Sequence, residues 1–199
     1  MTRAVVILAM AALLAVPPMG PAASAELTAA SPLVKECQSC HGPRGDSRNA
    51  DVPRLNGQQR DYLATRLKAF LDPARKLTHG GRMMMWNRPI ADGDVAELAD
   101  YFSRQLPTPR AGYGTLADAG DAIFHHGAGP AIPACAACHG QNGQGLGAAP
   151  RIAGQHGAYL TSSLKSFMVK SRIGAPMNRH TWDMTLSQVW ALSAYLSGD

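Results

Sequence analysis

Cys37-Gln-Ser-Cys40-His41 and Cys135-Ala-Ala-Cys138-His139 are the two stretches on which the reading of this chain turns. Both are Cys-x-x-Cys-His, and together they use all four cysteines. The pattern is that of covalent haem attachment, with two thioether bonds to the porphyrin and the adjacent histidine on the iron. Two intervening residues bring both sulfurs to the vinyl edge of the ring, and the next residue falls beneath the metal. Cys37, Cys40, Cys135 and Cys138 are therefore expected to bind two haem c groups covalently, with His41 and His139 as iron ligands. Two disulfides would use the cysteines but give no role to a histidine after each pair. A zinc ribbon needs its Cys pairs far closer in sequence than Cys37 and Cys135 stand.

Working outward from the motifs, the chain is one unit written twice. Pro53-Arg54-Leu55-Asn56-Gly57-Gln58 recurs 97 residues on as Pro150-Arg151-Ile152-Ala153-Gly154-Gln155. Tyr62-Leu63 recurs as Tyr159-Leu160, and Phe70 as Phe167, in the same register. Three residues then drop out, and at an offset of 94 Met83 matches Met177 and Tyr101 matches Tyr195. Between the copies lies a stretch rich in Pro and Gly, Leu106 to Gly114. The domains read as 26–106 and 115–199, joined by a linker at 107–114. Each half is expected to be helical. A leading helix runs from about Thr28 to Cys40, and its counterpart covers Leu116 to His126. Gly127 to Pro133 is an insertion that loosens the second approach to the cysteines. Further helices are expected over about 61–71 and 158–168, the first stopped by Asp72-Pro73. The last pair runs from Asp92 to about Arg104 and from Thr185 to about Leu196. No stretch alternates as a strand would, so the fold class is all-α.

The open axial position on each iron decides what such a centre does. A thioether closes it, raises the potential and leaves an electron carrier. The candidates are Met83, Met84 and Met85 in the first half and Met177 or Met184 in the second. Met83 and Met177 each stand 18 residues before a terminal tyrosine, so the repeat selects them. Met84 and Met85 remain the alternatives, whereas Met184 aligns with Ile90 and reads as core. A ligating imidazole donates its far N–H to a carbonyl. Pro53, 12 residues after His41, and Pro150, 11 after His139, are placed for that role. His79, His125, His126, His156 and His180 have no ligand-position counterparts in the repeat.

Residues 1–25 read as a secretory signal: Arg3, an apolar run from Ala4 to Val16, and the small-residue site Ala23-Ser24-Ala25. A periplasmic location follows, with peripheral or no membrane contact. The formal charge of +5 is a modest excess, its basic residues scattered, and no nucleic-acid partner is expected. Its use, if any, is steering toward an acidic redox partner.

Taken together, Cys-x-x-Cys-His-Gly, Pro-x-Leu/Ile-x-Gly-Gln with Tyr-Leu four residues on, then Met and a final helix ending at Tyr, resembles the diheme cytochrome c4 family over the whole mature chain. The resemblance implies two tandem class I cytochrome c domains related by a pseudo-twofold axis, with the haems near the interdomain contact. It implies periplasmic electron transfer in a respiratory chain toward a terminal oxidase, and His41, Met83, His139 and Met177 as axial ligands. The chain is then an electron carrier rather than an enzyme. The alternative is the cytochrome subunit of a periplasmic dehydrogenase, such as a sulfide-oxidising flavocytochrome. A diheme peroxidase fits less well, since it needs an iron that peroxide can reach.

Overall fold

Pro32 stands at the first position of helix α1 (Pro32–His41), where its missing N–H is no loss and its fixed φ is already helical. The helix therefore starts later than the apolar pattern suggests. Ser31, forced toward extended backbone by the proline after it, has ψ 134°, and Thr28 to Ser31 close a turn instead. The computed structural model describes residues 27–72, 83, 90–112, 114–172 and 175–199. The expected export segment 1–25, Pro73, His79, Met84 and Met85 lie outside the described residues.

The first half continues with α2 (Arg60–Leu71) and α3 (Asp92–Ser103). The second contains α4 (Thr115–His126), α5 (Ala136–His139), α6 (Gly157–Met168), α7 (Ala175–Thr181) and α8 (Leu186–Leu196). Among the described residues, β-structure is limited to two isolated bridges, so the all-α expectation holds. Helix α8 opens on a capping box: Gln188 N–H donates to the Thr185 hydroxyl and the Gln188 side chain accepts from Thr185 N–H. Helix α7 is an element the apolar spacing does not announce; its Pro176 occupies an early helical position, where a missing N–H is no loss.

Two apolar clusters organise the halves. Val34 of α1 meets Leu98, Tyr101 and Phe102 of α3. In the second half, Ala117 and Phe124 of α4 pack on Val189, Leu192, Tyr195 and Leu196 of α8, with Leu160 of α6 beneath them. Helices α4 and α8 cross closely enough that a side chain at Gly120 would meet the Ala191 backbone. The 127–133 insertion is not the loose entry that its Gly and Pro suggest. Ala128 N–H donates to Ile132 O at 2.8 Å, and Ile132 is buried beside Phe124 and Ala136. Burying one large apolar side chain stabilises by about 1.5–3 kcal/mol, enough to pin a short loop.

Between the halves the contacts are polar. Arg54 donates to the Gly154 carbonyl at 2.9 Å and pairs with Asp199 of the second half and Asp46 of its own, each at 3.2 Å. Buried His156 bonds the Ser47 carbonyl through Nε2 at 2.9 Å and Asp199 through Nδ1 at 2.7 Å. The connecting stretch is part of this contact. Pro107 lies on Gly57 and the Thr108 carbonyl on Gly154, and a Cβ at either glycine would strike it. Both glycines also have positive φ, 66° and 75°, so the Gly of each Gly-Gln repeat is required twice over.

Burial pushes the Asp199 carboxyl up, but the Gly157 N–H, the His156 ring and the Arg54 guanidinium outweigh it and hold the group below its ordinary value. A depressed folded-state value adds stability above the unfolded value, and that stability is lost as pH falls through the folded one. The stability gap between the wild type and Asp199→Asn should therefore shrink from about pH 5 to pH 2 in denaturant unfolding. A gap constant over that range would show that Asp199 contributes nothing as an ion.

Candidate functional site

The haem-attachment segments sit where helices end. Cys37, Cys40 and His41 form the last turn of α1, and His41 is its final residue. In the second half Cys138 and His139 belong to α5, with Cys135 as its N-cap. Residues three and four apart share a helix face, so each Cys-x-x-Cys-His segment presents both sulfurs and the imidazole together. Cys37 packs against the Val34 cluster and Cys135 against the Phe124 cluster, while Cys40 and Cys138 are exposed. The four form no disulfide. Burial, above all, pushes the Cys37 and Cys135 thiols up to about 11, so each is a neutral thiol rather than a metal-binding thiolate.

The imidazoles have one fixed tautomer. His41 Nδ1 lies 2.8 Å from Pro53 O, and His139 Nδ1 lies 2.8 Å from Pro150 O. A carbonyl only accepts, so Nδ1 carries the proton in both rings and Nε2 keeps its lone pair. Burial holds both imidazoles below their ordinary value, and the proline carbonyls offset that only in part. The rings are therefore neutral, as a metal ligand must be. The acceptors are held in turn. Gly45 O receives the N–H groups of Leu55 at 2.8 Å and Asn56 at 3.4 Å. Gly143 O receives those of Ile152 at 2.8 Å and Ala153 at 3.0 Å. The same staple thus fixes the proline of each half.

These residues suit haem c by their donor chemistry: paired thiols on one helical turn, then a neutral imidazole whose free nitrogen is Nε2. Bound there, the group supplies a one-electron iron couple. Cys37, Cys40, Cys135 and Cys138 would tether the ring, and His41 and His139, oriented by their proline carbonyls, would face its iron.

The remaining sequence candidates separate clearly. Met83 is half-buried, ahead of α3. Met177 is half-buried on α7, and its neighbour Asn178 ties that helix down by donating to Phe167 O at 2.7 Å and Arg172 O at 2.9 Å. Met184 is buried in the second core, as its alignment with Ile90 implies. The tyrosines used to set the register are anchored. Tyr101 OH accepts from Gln38 at 3.1 Å, and Tyr195 OH meets His125 Nε2 at 3.1 Å.

In the sequence Gln58 and Gln155 stand out only as landmarks of the repeat. In the structure each clasps the opposite half. Gln58 accepts from Arg151 N–H and donates to Arg151 O, both at 2.8 Å. Gln155 accepts from Arg54 N–H at 2.8 Å and donates to Arg54 O at 3.0 Å. A polar side chain repeated in strict register was the available signal.

A helical unit that ends in two thiols and a proline-braced imidazole, present twice, defines a two-centre c-type cytochrome. The family model for "Cytochrome c" matches residues 27–104 and again 117–198. The chain belongs to the cytochrome c family, as a two-domain member of the diheme cytochrome c4 kind. It is 37% identical to a cytochrome c-552 of Acidithiobacillus ferridurans, over 87% of this chain and 78% of that protein. It is 34% identical to a thiosulfate dehydrogenase electron acceptor of Thiomonas intermedia, covering 88% and 84%. The solved structure of Acidithiobacillus ferrooxidans cytochrome c4 superposes with a TM-score of 0.73 at 35% identity, covering 82% of this chain and 99% of that one. The chain carries two haem c groups and transfers electrons; it is a carrier, not an enzyme.

Replacing Cys135 and Cys138 together by Ala should leave a protein with one covalent haem, on Cys37 and Cys40. Intact-mass spectrometry should find two haems in the wild type. Two retained haems in the double variant would contradict the assignment.

Proposed function

We propose that this chain is exported, cut after Ala25, and works in the periplasm as an electron shuttle with two closed, six-coordinate haems. Its domains are 26–106 and 115–199, joined through 107–114. His41 and Met83 are the axial ligands of one iron, and His139 and Met177 those of the other. The observation that carries this reading is the repeated bond from His Nδ1 to Pro O, with Met at the same remove from an anchored tyrosine in both halves. A closed iron offers oxygen or peroxide no entry, so its work is to accept and release one electron with little change of geometry. The donor belongs upstream in a respiratory chain, and the acceptor is a terminal oxidase.

A second reading draws on one feature of the surface. Val169, Trp182 and Trp190 are 73%, 61% and 51% exposed on the second half, and exposed tryptophan is characteristic of interface anchors. This favours docking on a dehydrogenase, and the resemblance to thiosulfate dehydrogenase electron acceptors points to that class of donor. Reduction of the purified protein by a thiosulfate dehydrogenase, lost in Trp190→Ala, would select it over the free shuttle.

The ligand assignment makes a spectroscopic prediction. Oxidised protein should be low-spin with the far-red charge-transfer band of thioether-ligated iron. Met83→Ala and Met177→Ala should each remove that band from one haem. Met184→Ala should keep both bands and instead lower stability by about 2–5 kcal/mol. Loss of the band in Met84→Ala or Met85→Ala, with retention in Met83→Ala, would move the ligand.

A further inference from the structure

The two clasping glutamines reach further than the interface. A trans peptide points its C=O and N–H in opposite directions, and no cis peptide occurs among the described residues. The Pro53–Arg54 peptide uses its C=O to accept from His41 Nδ1 at 2.8 Å, and its N–H donates to Gln155 Oε1 at 2.8 Å. The Pro150–Arg151 peptide accepts from His139 Nδ1 at 2.8 Å, and its N–H donates to Gln58 Oε1 at 2.8 Å. In each half, then, one peptide group stands between the haem-ligand imidazole and a glutamine of the other half. Gln58 and Gln155 are both buried, so water does not screen these bonds.

We propose that Gln155 and Gln58 are positioning residues that set the reduction potential of the haem in the opposite domain. The proposal rests on His41 and His139 being iron ligands. An acceptor on a peptide N–H pushes electron density onto that peptide's oxygen, since hydrogen bonds in a chain polarise one another. A more negative Pro53 oxygen draws harder on the His41 Nδ1 proton and makes the ring a stronger electron donor to the iron. A stronger donor favours the ferric state and lowers the potential. Gln155 thus holds down the potential of the haem on Cys37 and Cys40, and Gln58 that of the haem on Cys135 and Cys138. Docking of one domain on the other becomes an electronic input to both irons.

The two relays are not equal. Arg151 N–H has a second acceptor, Gln59 Oε1 at 2.6 Å, and Gln59 is itself held by donating to Gln144 O at 2.8 Å. The position matching Gln59 in the repeat is His156, whose ring is spent on Ser47 and Asp199. The relay to His41 therefore depends on one side chain, and the relay to His139 on two.

The test is a redox titration of the full two-haem protein, with each haem followed by its own methyl signals in NMR. Gln155→Leu should raise the midpoint of the first-domain haem and leave that of the second in place. Gln58→Leu should raise the second-domain midpoint by less, and Gln58→Leu with Gln59→Leu by more. A loosened interface would move both haems together, and a local packing effect would move the haem of the mutated domain. Either result, or no shift, overturns the proposal. Should Gln155→Leu fail to yield holoprotein, Gln155→Glu keeps the acceptor and adds charge, so the first-domain midpoint must fall; an unchanged or higher value overturns it. The reduced protein separates this from the ligand assignment. Absence of ring-current-shifted His41 ring protons would refute ligation itself. Their presence, with a His41 Nδ1–H signal unmoved in Gln155→Leu, would refute the relay alone.

Discussion

The hydrogen bond from an imidazole Nδ1 to a proline carbonyl is the constraint on which the rest of this protein is arranged. It selects one tautomer, aims Nε2, and settles how the loop after each Cys-x-x-Cys-His segment must run. Pro53 stands 12 residues after His41 and Pro150 11 after His139, yet both reach the same 2.8 Å contact. They do so because a glycine carbonyl, Gly45 or Gly143, gathers two following N–H groups and holds the proline in place. Proline suits the position because its φ is fixed and it brings no N–H of its own.

Much of this was legible in the chain. Haem attachment is a local pattern with covalent meaning, so Cys37 to His41 and Cys135 to His139 declare themselves without any tertiary information. The helices after them follow from apolar spacing, and the supporting prolines from their distance to the histidines. What stayed hidden was decided by contacts between segments far apart in sequence. Nothing in a Gly-Gln pair says that its side chain will reach a peptide more than 90 residues away. His156 has no ligand-position counterpart in the repeat, and its burial between Ser47 and Asp199 depends on how two halves meet. Helix α7 and the buried Ile132 were hidden for a nearer reason: Gly and Pro dominate local propensity, and packing overrode them.

The repeat is symmetric in its peptide contacts and asymmetric around them. Both prolines, both staples and both glutamines correspond, whereas Gln59 and His156 occupy one register position and do different work. The halves also differ in substance. The second has a deep apolar core built on Phe124, Leu160, Val189 and Leu192, while the first rests on fewer buried side chains among the described residues. Duplication supplies two centres of equal design, and such departures are how two equal centres become unequal.

The stretch between the halves carries a consequence of its own. With Pro107 seated on Gly57 and the Thr108 carbonyl on Gly154, it is gripped by the same turn from both sides. Its length is therefore a measured span rather than slack. One residue more or less would slip one half along the other and pull each glutamine off its peptide. The two copies can no longer be cut apart, shuffled or lent to other proteins as independent cassettes, because each has become a component of its sibling.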